Sequence, residues 1–275
     1  MRSVKKEAVT LEATVAIIFE MLRLGSTALM PWERFEKIVI VAVAVLVTMM
    51  VVVVLWSPVA YDTHEFGDTH FILGAAWRQY NGLVPTVDFQ HFYGGFTSWV
   101  IAQAITLFGP SVHAFDYALV MLLAGFGLAS AAVFWRRVSG MGAAITLLVI
   151  ATLIFTRQPL ELVQSLIRIY SSHASLYNRV GLVIVVIVGL FAALPSRSRP
   201  AELVGSVVTG GLLVTAMLTK PTFIVLIPAV ALALMVQARW TALAATALVT
   251  MASLMIVDPW GARWYASFEY AQAGV

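Results

Sequence analysis

The sequence predicts an all-α polytopic membrane bundle of about seven spans with a helical external first loop. Three observations predict it. Hydrophobic residues fill 61% of the 275 positions and charged residues only 11%, where a soluble domain is nearer half apolar and a quarter charged. The apolar residues gather in runs of membrane length, the clearest being "KIVIVAVAVLVTMMVVVVLW" from Lys37 to Trp56; about 20 such residues at a 1.5 Å rise cross a bilayer core. The polar chemistry lies between these runs. The chain has no cysteine, which excludes disulfides, thiolate metal sites and cysteine nucleophiles. A net charge of +3 gives no ground for a nucleic-acid partner.

Residues 1–36 are expected to form a cytoplasmic segment. Within it, "LEATVAIIFEMLRL" sets Leu11, Val15, Ile18 and Leu22 on one helical face, apart from Glu12, Glu20 and Arg23. That is the pattern of a helix lying on the membrane; a gene start extended ahead of "MPWERFEK" is the alternative. The first apolar run lacks a small-residue cleavage site, so it is not a signal peptide. Spans are expected at 37–56, 113–135, 140–156, 179–194, 201–219, 221–238 and 240–257, within one transmembrane domain over 37–275.

Lys and Arg near span ends set orientation. Lys5, Lys6, Arg34, Lys37, Arg136, Arg137, Arg197, Arg199 and Arg239 all fall on the cytoplasmic side if "GGFTSWVIAQAITLF", residues 94–108, lies along the outer interface and does not cross. The N-terminus is then cytoplasmic, and 57–112, 157–178 and the aromatic tail from Asp258 are external. A bacterial inner membrane is the expected location. Arg157, Arg168 and Arg179 run against the charge rule. So does Lys220, which stands between two spans ahead of Pro221 and needs a partner.

The first external loop carries the chemistry. Four carboxylates, Asp62, Glu65, Asp68 and Asp88, and three of the five histidines, His64, His70 and His91, lie between Ser57 and Tyr93. A carboxylate within reach of a hydroxyl can act as general base. Alternatively, Asp and His together can hold a divalent cation that neutralises a phosphate leaving group; His64 and Asp68, four apart, are the candidates, although "HEFGD" lacks the HExxH spacing of a zinc protease. "FILGAAWRQY" follows a helical period, and Asn81-Gly82 supplies a left-handed cap. "TVDFQHFYGG" is then an extended aromatic segment. His113 and Asp116 open the second span, where an acid suits the helix dipole, and His173 and Asn178 are further candidates to line the same external cleft.

The order of these pieces resembles the membrane-embedded GT-C glycosyltransferases, which include the dolichyl-phosphate-mannose protein mannosyltransferases and the lipid A aminoarabinose transferases. The residues that carry the resemblance are Asp68, "NGLVP" ending at Pro85, Asp88-Phe89, Tyr93-Gly94, Leu107-Phe108-Gly109 and "MLTKPT" with Lys220, across about residues 37–240. The resemblance implies transfer of a sugar from a polyprenyl-phosphate donor to a lipid, glycan or protein acceptor on the non-cytoplasmic face, with inversion. It implies a catalytic base at Asp68, with Glu65 and Asp62 as alternatives. Asp88, Lys220, Arg78, His91 and Tyr93 would bind substrate, the cations steadying the lipid phosphate. Three departures stand out: Thr69 follows Asp68 where many members have Glu, Gly95 replaces a proline, and Asp116 stands near the place of an arginine. Members usually have more spans, so a truncated or N-terminal part is expected. A non-catalytic component of a glycan assembly system and a transporter of a lipid-linked solute are the alternatives; spans almost free of internal charge argue against the transporter.

Overall fold

A computed structural model describes residues 31–56, 66–85, 87–89, 94–111, 113–155, 175–196 and 198–257. The regular structure among them is helical: α1 (Pro31–Trp56), α2 (Phe66–Tyr80), α3 (Phe96–Phe108), α4 (Ala114–Phe134), α5 (Gly140–Phe155), α6 (Ser175–Ala193), α7 (Arg199–Thr219), a 3-10 turn (Pro221–Val225) leading into α8 (Leu226–Val236), and α9 (Trp240–Val257). Five of these, α1, α4, α6, α7 and α9, are long and apolar enough to cross a membrane. The possible interfacial helix before residue 31, the loop from 156 to 174 and the tail from Asp258 lie outside the described residues.

The observed helices follow the expected spans, but α6 begins at Ser175 and not at Arg179, and two further differences have a local cause. α1 begins at Pro31 and not at Lys37; a proline suits the first helical position, and Glu33 complements the dipole there. The span expected at 221–238 opens as a 3-10 turn. Pro221 ends α7, and Pro228 has no N–H with which to extend a regular ladder back toward Ile224.

One end of the bundle is fixed by charge. Glu202, in the first turn of α7, lies 2.7 Å from Arg137 Nη2, and its other oxygen accepts the Arg239 Nε–H at 2.7 Å. Arg137 follows α4 and its side chain is fully buried; Arg239 joins α8 to α9 and its side chain is 9% exposed. Both guanidinium groups pack on the Phe191 ring, at 4.8 and 4.9 Å from its centre. They also satisfy carbonyls at the end of α6: Arg137 donates to Leu194 O, and Arg239 to Phe191 O and Ala192 O. Helix ends leave such carbonyls without intrahelical partners. Arg239 is aimed by the turn before it, where Ala238 takes a left-handed φ of 54° and Arg239 N–H donates to Leu234 O. α1 reaches the same end, since Glu36 Oε1 accepts the Met141 N–H of α5 at 3.0 Å. Arg137 and Arg239, read from the sequence as charges that set orientation, therefore also tie the helices together.

From that end the helices alternate in direction. α4 and α6 arrive at it, α5 and α7 leave it, α8 returns and α9 leaves again. The opposite end holds the start of α4 and the finish of α7. There Gly94 N–H donates to Thr219 O at 3.2 Å, so α3 starts beside the last residue of α7. α3 finishes beside the first turn of α4, with the Phe108 and Tyr117 rings 4.6 Å apart. Both termini of α3 thus sit at one end, and the helix runs across the bundle. Its 13 residues span only about 20 Å, short of a bilayer core of about 30 Å.

α6 is central. Leu176, Tyr177, Val180, Val183, Ile184 and Ile187 on it are wholly buried. α1 and α9 bury 17% of their most apolar window, against 56% for α6 and α7, and carry outward-facing residues such as Val53, Leu248 and Ile256. α7 and α9 nonetheless pack closely through small residues. A Cβ on Gly210 would come 2.9 Å from Thr246 O, while the Thr246 and Thr250 hydroxyls reach Ser206 O and Gly210 O at 3.3 and 3.4 Å.

Glu202→Gln leaves two largely buried guanidinium groups without their carboxylate. It should destabilise the protein by about 3 kcal/mol, read as a lower midpoint of thermal unfolding in detergent. Arg199→Gln, at an exposed position of the same helix turn, should change stability by less than about 0.5 kcal/mol.

Candidate functional site

The end opposite the charges holds Arg78, Asp88, Asp116, Asn178 and Lys220 among the residues that the sequence singles out. α2 closes on Gly82, whose φ of +85° is the expected left-handed cap. Leu83 N–H donates to Arg78 O and Gly82 N–H to Gln79 O, the paired bonds of a Schellman ending. The chain then folds back on itself. Asp88 N–H donates to Val84 O at 2.9 Å, and the Asp88 carboxylate accepts the Val84 N–H at 2.6 Å. Pro85 and Phe89 form an isolated bridge, and the Arg78 guanidinium stands 5.2 Å from the Phe89 ring centre. Asp88 and Arg78, expected to bind substrate, also shape the turn.

Two glycines let this turn meet the bundle. A Cβ on Gly94 would collide with the Leu218 backbone carbonyl, so only glycine permits the hydrogen bond to Thr219 O. A Cβ on Gly95 would lie 2.9 Å from Pro85 Cγ and 3.3 Å from Gln79 Nε2. That crowding accounts for glycine where the resemblance predicts proline, because proline also carries a Cβ.

Between the turn, the start of α3 and the finishing ends of α7 and α9 lies a cavity of about 510 Å³, within the usual range for small-molecule sites. Pro85, Phe96, Trp99, Leu218, Pro221 and Val257 form much of its wall. Among the side chains that line it, only the Gln79 amide and the Trp99 indole N–H are polar. Lys220 sits between two wall residues, Leu218 and Pro221. Its Nζ donates to Asn178 Oδ1 on α6 at 3.1 Å, which answers the expectation that this cation needs a partner. The Phe223 ring covers Gly181, one turn along α6, where a Cβ would collide with it. This contact holds the segment after Lys220 against α6.

Asp68 lies in the first turn of α2, but its side chain is outside the described residues, as are Asp62, His64, Glu65, His91, Tyr93 and His173. Among the described residues, no group of three His, Asp or Glu is placed to hold a metal ion. Asp116 is in the first turn of α4, as expected, and is fully buried; His113 Nδ1 is 3.5 Å from its Oδ2. Sequence reasoning missed Gln79 and Ser98, which meet at 2.7 Å beside the cavity. Nothing in their spacing signals that pairing, because they come from different helices.

Comparison with protein-family models, with curated proteins and with solved structures finds no match to this chain.

Gly94→Ala forces the turn away from α7, since the obstacle is backbone and cannot rotate aside. It should open the cavity end and cost about 1–3 kcal/mol. Thermal unfolding in detergent reads the loss, and faster limited proteolysis within 81–95 locates it.

Proposed function

We propose that the chain transfers a sugar from a polyprenyl-phosphate donor to a lipid, glycan or protein acceptor at the non-cytoplasmic face of a bacterial inner membrane, as an inverting enzyme of GT-C type. In this reading seven segments cross the membrane: α1, α4, α5, α6, α7, the 3-10 turn with α8, and α9. The charged end is cytoplasmic, in keeping with the preference of Lys and Arg for that side. α2 and α3 form the external layer.

The observation that carries the reading is the cavity. Its apolar wall suits an isoprenoid chain, and it is built from the segments that resemble the family: Gly82–Pro85, Gly94 and the chain around Lys220. In the proposed reaction a carboxylate, Asp68 first and Glu65 or Asp62 otherwise, takes the proton of the acceptor hydroxyl. The oxygen attacks the anomeric carbon from the face opposite the leaving group, and the bond to the lipid phosphate breaks. Lys220 steadies the departing phosphate, with Arg78 as the second cation. His91 and Tyr93, in the same loop, bind substrate. A divalent cation, with His64 and Asp68 as its candidate ligands, would supply further neutralisation of the leaving group.

The test is transfer of radiolabelled sugar from a polyprenyl-phosphate donor by the protein reconstituted in vesicles. Asp68→Asn should lower transfer by about 100-fold or more while insertion and thermal stability stay unchanged. Undiminished transfer by a properly inserted Asp68→Asn protein removes Asp68 as base and leaves Glu65 and Asp62. A wild-type protein that turns over no such donor contradicts the proposal.

A further inference from the structure

We infer that Gln79 is the polar reader of the cavity, and that the cavity takes an amphiphile with an aliphatic or isoprenoid tail and a hydroxyl-bearing head.

The orientation of the Gln79 amide is fixed by its neighbours. Its Nε2 lies 2.7 Å from Ser98 Oγ and 3.3 Å from Gly95 O, and Ser98 Oγ lies 3.1 Å from the same carbonyl. A backbone carbonyl can only accept. The nitrogen of the amide must therefore face Gly95 O, and the Ser98 hydroxyl, which donates its one hydrogen to that carbonyl, must accept from Gln79. Gly95 O also accepts the Trp99 N–H at 2.9 Å, and its contact with Nε2 is the longest of its three. Ser98 is fully buried and the three contacts are part-buried, which helps to hold the amide in place.

The remaining polar atom is Gln79 Oε1. It has no donor among the described residues, while the rest of the amide is anchored. Gln79 is also the one side chain lining the cavity, among the described residues, that offers a strong acceptor. An acceptor among otherwise largely apolar lining side chains favours a ligand that brings an O–H there and disfavours one that brings only a further acceptor, such as an ether. A hydroxyl seated at Gln79 also leaves an attached tail against Phe96, Trp99, Leu218 and Val257. The inference rests on the cavity itself. Only the identification of the amphiphile as a transfer substrate rests on the reading proposed above.

The experiment measures binding of radiolabelled farnesol to the full chain in phosphatidylcholine nanodiscs, with displacement by unlabelled farnesol or farnesyl methyl ether and empty nanodiscs as background. Wild type should prefer the alcohol by roughly fivefold to tenfold. Gln79→Met keeps the bulk of the side chain and removes the acceptor; it should bind the ether as wild type does and lose the preference. Ser98→Ala releases the amide without altering a wall residue and should reduce the preference part of the way. Equal binding of alcohol and ether by wild type overturns the inference, as does a preference that survives in Gln79→Met. Should Gln79→Met fail to fold and bind neither ligand, an undiminished preference in Ser98→Ala overturns it instead. Sugar transfer measured on the same preparations separates the two proposals: transfer without an alcohol preference defeats this one alone, and an alcohol preference without transfer defeats only the reading of the site as a transferase.

Discussion

The contact on which the rest of the structure depends is the one between Glu202 and its two arginines. Arg137 comes from the turn after α4 and Arg239 from the turn before α9, while Glu202 belongs to α7 and Phe191 to α6. Four stretches of chain therefore share one charged cluster. Its members are stripped of much of their water, which is costly unless every charge has a partner and every remaining donor finds an acceptor. The carbonyls closing α6 accept from Arg137 Nη1 and Arg239 Nη1, while Arg137 Nε finds no acceptor among the described residues. Gly205 completes the arrangement: a Cβ there would approach Arg137 Nη2 to 2.8 Å and the Phe191 ring to 3.0 Å.

Fixing one end determines what the other can do. With α4, α6, α7 and α9 tied together by the charges, their far ends are left close enough for a short transverse helix to bridge. α3 does so, held at its start by the Gly94–Thr219 hydrogen bond and at its finish by Phe108 against Tyr117. The cavity lies beside the start of this bridge, between the turn before α3 and the finishing ends of α7 and α9. The turn before α3 and the start of α3 supply much of its wall, Gln79 included, and the Lys220–Asn178 contact stands beside it. The wall itself contains glycines at the two places where backbone meets backbone or proline.

Most of the helices were legible in the sequence because hydrophobic runs of membrane length are bounded by Pro, Gly or paired arginines. Asn81-Gly82 marked its left-handed cap because few other residues adopt that backbone readily. The cavity was not legible. It joins residues near 80, near 95, near 218 and at 257, and no local pattern reports such distant meetings. The charged cluster was half legible. Arg137 and Arg239 stood out as charges flanking spans, but Glu202 drew no notice, since an acid in the first turn of a helix already satisfies the dipole. Of the first-loop acids, Asp62, Glu65 and Asp68 remain read from sequence alone, because the first two and the Asp68 side chain lie outside the described residues.

The central structural claim is that α3 lies across the end of the bundle opposite the charges. Single cysteines in this cysteine-free chain test it directly: Val87→Cys before α3, Ser111→Cys after it, and Arg199→Cys at the charged end, each probed with a membrane-impermeant maleimide on sealed vesicles of known orientation. Residues 87 and 111 should label from the same side and 199 from the other. Labelling of 87 and 111 from opposite sides would mean that α3 crosses the membrane, and would contradict the account.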